Sequence, residues 1–274
     1  MTIASPGTPP LAALGDQLRA LGRVTVAVSG GVDSMTLAAV AHQTLGEQAT
    51  MVHAVSPAVP PEATARVRRH GAASGWALRE IDAGEFQDPR YRANPVNRCF
   101  FCKTNLYAAM AAVAVGQLIS GTNCDDLGDY RPGLQAAAHH HVRHPYVDAG
   151  IDKAGVRAIA RHLGLTDLAE LPAAPCLSSR VETGIAIEAA PLAAIDQVEQ
   201  RLRQDLTPHT VRCRLRRGQI AVELDSATLA TLGESQRSIY GQWIAQRFAA
   251  AGVERPVTFE PYRRGSAFVG VKVP

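Results

Sequence analysis

The stretch "VTVAVSGGVDS", Val24–Ser34, decides the fold class. Its first half, Val24–Val28, is a continuous β-branched run of the kind buried on both faces of a parallel sheet. Gly30 and Gly31 follow, and a helical pattern opens at Ser34 and runs to Thr44. Glycines let a backbone turn tightly and approach an anion closely. A helix N-terminus then offers unsatisfied amides and the positive end of its dipole. Ser29, Gly30, Gly31, Asp33 and Ser34 are therefore candidate nucleotide contacts, with Asp33 placed to hold Mg²⁺ against leaving phosphates. The hexapeptide lacks the lysine of a Walker A loop. A plain strand-to-helix turn is the competing reading.

Working outward, strand-like and helical runs alternate. "TMVHAVS" (Thr50–Ser56), "WALREIDA" (Trp76–Ala83), "QLISGTN" (Gln117–Asn123) and a short "HPYVDAG" (His144–Gly150) read as further strands. Helices are expected over Glu62–Ala73, Thr104–Val115 and Lys153–Leu163. This alternation predicts a doubly wound parallel sheet, an α/β Rossmann-type domain over residues 1–172. After Pro172 the pattern changes to a helix (Ala189–Leu206), a hairpin (His209–Leu224, turning at Arg217-Gly218), a helix (Ala227–Ala251) and two strands, "VTFEPY" and "AFVGVKV". Residues 185–274 thus read as a smaller α+β domain, joined by a linker that carries Cys176.

The net charge of +3 over 274 residues argues for no nucleic-acid partner. Six arginines between Arg201 and Arg217 are either a solvated face or an anion site. No apolar run approaches the ~18–20 residues of a membrane span, and the first fifteen residues carry no basic and apolar signal pattern. A cytoplasmic protein is expected, in which five cysteines point to thiol chemistry or metal ligation rather than a disulfide framework.

"SGGVDS" after a strand resembles the PP-loop of the ATP pyrophosphatase superfamily, the adenine nucleotide alpha hydrolase-like fold, which cleaves ATP to AMP and pyrophosphate. Three further stretches narrow the resemblance: "NPVNRCFFCK" (Asn94–Lys103), "GTNCDDLGDYRPG" (Gly121–Gly133) and "PCLSSR" (Pro175–Arg180). In this order they look like the LarE family, ATP-dependent sulfur transferases of nickel-pincer nucleotide cofactor synthesis. The similarity runs from about Leu21 to Arg180 and resumes in "VRCRLRRG" and "YRRGS". It implies that the carboxylates of a pyridinium-3,5-dicarboxylate mononucleotide are adenylylated and converted to thiocarboxylates. It implies that Cys176 is the attacking thiol, and that family members form homo-oligomers. "VETGIAI" after Arg180 departs from the commoner "IPYGTxI".

Gly121, Asn123, Asp125 and Asp126 follow a parallel strand, where open sheets place ligands. ATP or metal contacts compete there with helix capping. Arg212 and Arg214 share a strand face and, with Arg180, match the family's basic residues, suited to a nucleotide phosphate. Glu223 is a weaker candidate for positioning substrate. Cys124 and Cys213 read as packing, and the histidines at 139, 140, 141 and 144 as a solvated helix end. Part of the family is similar in having Cys99, Cys102 and Cys176 together, which implies a 4Fe–4S cluster whose open iron carries a sulfide. The alternatives are a sacrificial Cys176 with a structural pair, zinc, or a redox dithiol. Three rivals remain: a tRNA-thiolating PP-loop enzyme, an ammonia-using synthetase and a non-catalytic nucleotide-binding module.

Overall fold

The computed structural model describes residues 10–128, 132–173 and 175–268. Two units divide the chain: Met1–Glu85 with Cys99–Ala174, and Phe86–Arg98 with Pro175–Pro274.

The first unit opens with α1 (Leu11–Leu21), β1 (Val24–Ala27), α2 (Val32–Leu45), β2 (Ala49–Ala54), α3 (Pro61–Ser74) and β3 (Ala77–Ile81). The chain leaves through α4 (Pro89–Arg92), which folds with the second unit, and returns along α5 (Arg98–Val113) to β4 (Gln117–Ser120). Helices α6 (Pro132–His139), α7 (Pro145–Asp148), α8 (Lys153–His162) and α9 (Thr166–Ala169) complete the unit. The four strands are parallel in the order β3-β2-β1-β4. Val26 on the central strand faces Met51 on one side and Ile119 on the other. Val24, Val26, Met51 and Ile119 are fully buried, as the β-branched pattern requires. Thr25 is also buried, and its hydroxyl is satisfied by the amide (3.0 Å) and carbonyl (3.1 Å) of Val115. Helix α2 is buried along most of its length and packs on α1 and α8.

This strand order positions the site. The chain steps outward from β1 to β2 to β3, then crosses back to place β4 on the other side of β1. The connections after β1 and β4 therefore diverge at their carboxyl ends, the switch point where open α/β sheets bind ligands. "SGGVDS" follows β1 and "GTNCDD" follows β4.

One expected strand is not formed. "HPYVDAG" folds as the single turn α7, preceded by one parallel bridge between Ile119 and Arg143. Pro145 stands at its first helical position, where its fixed φ suits a helix and its missing N–H costs nothing.

The second unit contains α10 (Ala189–Leu206), β5 (Val211–Leu215), β6 (Ile220–Leu224), α11 (Ser226–Thr231), α12 (Glu234–Ala249) and β7 (Val257–Pro261). Strands β5 and β6 form the expected antiparallel hairpin, and β7 adds parallel to β6. The expected helix 227–251 is two helices, because Asp225 caps the first through Thr228 and Gly233 opens the second. In the stretch "AFVGVKV", Ala267 lies in a turn, and all after Phe268 is outside the described residues. Among the described residues no helix is long and apolar enough to cross a membrane.

One buried and one half-buried imidazole make stability depend on pH. Nδ1 of His53 donates to the Val28 carbonyl (2.8 Å) and Nε2 accepts from Thr64 (2.9 Å), so both nitrogens are satisfied in the neutral ring. Burial pulls its pKa below the ordinary 6.5, against the Val28 carbonyl, which acts in the opposite direction. Burial lowers His144 in the same way. The unfolded rings take up protons first as the pH falls, so this stability is complete above about 6.5 and lost as pH drops through the lower folded values. Urea titrations across that window should show stability falling by up to ~1.4 kcal/mol per pH unit for each group. His53→Gln should flatten the slope.

Candidate functional site

In the loop after β1, the two serines close on each other. The Ser34 hydroxyl donates to the Gly31 carbonyl (3.2 Å) and accepts from the Ser29 amide and hydroxyl (both 3.0 Å). These hydroxyls hold the loop's shape, and helix geometry leaves the amides of α2's first turn without intrahelical acceptors, which makes them candidate anion donors. Gly30 has a φ of +80°, and a Cβ there would stand 2.7 Å from the Ala63 carbonyl oxygen. Only glycine fits both the backbone and the space. Arg66, nearly buried, donates to the Gly30 carbonyl at 2.9 Å and to Glu62 at 3.0 Å. It ties the loop to α3 from 36 residues away, a role without a motif.

The loop after β4 meets the same turn. A Cβ on Gly121 would lie 2.8 Å from the Ser34 nitrogen, so this glycine permits the close approach of β4's exit to α2. Asn123, buried, donates from its amide to Asp33 (3.1 Å). Asp126 accepts from the Asn123 amide (3.1 Å) and Asp125 from the Lys153 amide (3.1 Å). Each carboxylate thus bonds a main-chain amide at the start of a helical turn. Cys124 is half-buried, and burial followed by the charges of Asp152 and Asp125 pushes its thiol pKa up.

The sequence reading missed Lys153. Its ammonium lies 2.5 Å from the Asp33 carboxylate. It opens α8, which Asp152 caps through the Gly155 amide (2.8 Å). Tyr146, fully buried, donates to the Asp33 main-chain carbonyl (3.0 Å); its phenol is pushed far up by burial and then by Asp33. A lysine absent from the motif is thus supplied 120 residues later in the chain.

In the second unit, Cys176 precedes a short 3₁₀ turn, Leu177–Arg180. Its carbonyl accepts from the Ser179 amide (3.0 Å), the Ser179 hydroxyl (2.7 Å) and Arg180 (3.0 Å). Arg180 is 2% exposed and grips Glu199 with two bonds of 3.0 Å. It also donates to the Pro175 carbonyl. Glu199 accepts further from the Cys213 amide and Arg203. Arg214, also buried, is held by Glu223 (2.9 Å), the Ser179 carbonyl (3.1 Å) and the Arg263 carbonyl (3.2 Å). Two of the three arginines expected at a substrate phosphate therefore serve the protein's own carboxylates and carbonyls. Glu223 likewise holds Arg214 and Arg216. Arg212 donates to the Val211 carbonyl (2.7 Å), and burial, then the Arg180 charge, lower its pKa.

All five cysteines are described, and Cys176 alone is exposed. Cys213 is fully buried, with its thiol pushed far up by burial. Cys99 and Cys102, half-buried, stand three apart on α5 and share a face. They belong to the first unit and Cys176 to the second. Among the described residues no three His, Cys, Asp or Glu side chains group as metal ligands. The expected Cys99–Cys102–Cys176 cluster set therefore has no support in the geometry. Of the histidines, His139 and His141 are exposed, His140 is half-buried against Tyr107, and His144 turns inward to Ser120 (3.0 Å).

No protein-family model matches the chain. It is 40% identical over 208 residues to an uncharacterised protein of Synechocystis sp., spanning 74% of this chain and 77% of that one. It is 29% identical over 217 residues, 77% of this chain and 78% of the other, to the pyridinium-3,5-bisthiocarboxylic acid mononucleotide synthase of Lactiplantibacillus plantarum. The chain belongs to the LarE-like family. A further match, 26% identical over 150 residues, 53% of this chain and 58% of the other, is an uncharacterised protein of Methanocaldococcus jannaschii. The α/β fold with its four-stranded parallel sheet and smaller second unit agrees with membership.

The burial of Arg180 has a measurable consequence. Glu199→Ala leaves the buried Arg180 guanidinium without its carboxylate and should destabilise the fold by about 3–5 kcal/mol, while Arg180→Ala, which leaves Glu199 its bonds to Arg203 and the Cys213 amide, should cost less, about 1–3 kcal/mol. Urea unfolding reads both. A role confined to phosphate binding would leave stability within about 0.5 kcal/mol of the parent protein.

Proposed function

We propose that this chain is an ATP-dependent sulfur transferase acting on the carboxylates of a pyridinium dicarboxylate mononucleotide, with Cys176 as sulfur donor. The exposed Cys176 thiol, on a backbone held by Ser179 and Arg180, carries the reading. The identity to a synthase of a bisthiocarboxylic acid mononucleotide supports it.

The chemistry follows from leaving groups. A carboxylate resists thiols because it would have to expel oxide. At the loop, amides of α2's first turn receive the ATP phosphates, and Lys153 moves its charge from Asp33 to them. Mg²⁺ bound with the phosphates would neutralise their charge; such ions take one or two carboxylates alongside the phosphates rather than a protein cage, and Asp33 is the carboxylate at hand. The substrate carboxylate attacks the α-phosphorus and pyrophosphate leaves. The Cys176 thiolate then attacks the adenylate, AMP leaves and a thioester forms. Loss of the Cys176 Cα proton with cleavage of Cβ–Sγ releases the thiocarboxylate and leaves dehydroalanine.

Mass spectrometry of the intact protein before and after one turnover tests the whole reading. The protein should lose the elements of H₂S, with pyrophosphate and AMP released. Cys176→Ala should still release pyrophosphate and transfer no sulfur; full sulfur transfer by that variant sinks the proposal. About four irons bound per chain after anaerobic reconstitution, with sulfur transfer and no loss from Cys176, would restore the cluster route. Lys153→Met should slow pyrophosphate release or raise KM for ATP by roughly tenfold to a hundredfold, the equivalent of one charged hydrogen bond of about 1.5–3 kcal/mol.

A further inference from the structure

Residues 86–98 fold with the second unit although their sequence neighbours on both sides belong to the first. Within this excursion Tyr91 is 1% exposed and edge-on to Phe86. Its hydroxyl lies 2.6 Å from that of Ser178, which is itself fully buried. Asn94, also fully buried, has a φ of +52°. Its side-chain amide donates to the carbonyls of Glu182 and Ile185, both at 2.9 Å, and its main-chain carbonyl accepts from the Gly184 amide at 2.9 Å. The Ile187 amide donates to the Arg92 carbonyl at 2.8 Å, and the Asn94 side-chain oxygen takes the Arg98 guanidinium. Residues 91–94 are thus bonded along residues 178–187, the stretch that begins inside the Cys176 turn.

Nothing in adenylylation or thiol attack requires these bonds, but thiol orientation does. A 3₁₀ turn of four residues has poor hydrogen-bond geometry and little rigidity of its own. The Tyr91–Ser178 bond joins two groups shut off from water, so neither can exchange its partner for solvent. At position 94 the backbone asks for a left-handed residue, which asparagine tolerates, and the carbonyls ask for an amide that glycine lacks.

We propose that Tyr91 and Asn94 are positioning residues for Cys176, setting the direction in which its thiol is presented. This rests on Cys176 as sulfur donor, but its first readout does not. The rate of Cys176 alkylation by iodoacetamide, resolved by peptide mass spectrometry, reports the thiol's presentation without substrate. Tyr91→Phe keeps the ring and its Phe86 contact. It should alter that rate, leave pyrophosphate release unchanged, and slow sulfur loss from Cys176 about tenfold, the scale of effect expected of a misplaced reacting group. Asn94→Gly, which keeps the backbone and removes the amide, should act alike and serves if Tyr91→Phe does not fold.

The double variant Tyr91→Phe/Ser178→Ala separates positioning from stability. Removing both partners of a buried bond restores most of the stability lost by removing one. Recovered melting temperature with sulfur loss still slow supports positioning. Recovery of both, or single variants with parental alkylation and sulfur loss, overturns it. If the parent protein itself neither releases pyrophosphate nor loses sulfur, the proposed function fails, and the alkylation rates still decide whether the thiol's presentation depends on Tyr91 and Asn94.

Discussion

The ion pair between Lys153 and Asp33 is the point at which three elements of the first unit meet. Asp33 belongs to the first turn of α2, Lys153 opens α8, and Asn123 from the exit of β4 donates to the same carboxylate. Side-chain exposures of 34% and 28% make this a pair of modest energy, worth about 0–1 kcal/mol. Its importance is positional. Under the proposed function, a cation already held at the mouth of the loop needs one side-chain movement to exchange a carboxylate for a phosphate. The strand order decides that this cradle opens at a divergence between neighbouring connections, so the sheet, the glycines and the lysine converge on one place.

The second unit uses charge in the opposite regime. Arg180 and Glu199 are 2% and 1% exposed, so each has lost most of its hydration. Such a pair adds little net stability over apolar residues of the same volume, while breaking it costs several kcal/mol. What it contributes is uniqueness of structure. The remaining Arg180 donors fall on the carbonyls of Pro175 and Cys176, so the buried pair fixes the main chain on which the exposed thiol rides. The pair of Arg214 with Glu223 does the same for the Ser179 carbonyl.

Those contrasts explain which parts were legible in the sequence. The parallel sheet and the loop could be read because β-branched runs and paired glycines act locally. "HPYVDAG" misled because Tyr146 and Val147 look like strand residues, while Pro145 favours the start of a helix. Roles of individual arginines were not legible. Their partners, Glu199 and Glu223, stand 19 and 9 residues away, and burial separates an arginine that binds a ligand from one that binds its own fold. Lys153 was invisible for the same reason, since no spacing rule links positions 33 and 153. The excursion of residues 86–98 into the second unit left no compositional trace, because its attachments run through single residues such as Tyr91 and Asn94.

The cysteines show how environment divides a single chemistry. A nucleophile must reach the thiolate state and be accessible. Cys213 meets neither condition, being buried with its pKa pushed far up. Cys124 is opposed by burial and by two aspartates. Cys99 and Cys102 share a helix face and are half-covered. Cys176 is exposed, and its main chain is held by a buried ion pair on one hand and by the hydroxyl of Tyr91 through Ser178 on the other. A thiol that is to give up its sulfur must be mobile enough to attack and then to eliminate, on a backbone that does not drift between the two steps. Under the proposed function, an exposed side chain on a doubly anchored turn satisfies both demands, with the rigidity supplied by buried charge and hydroxyl pairs rather than around the thiol itself.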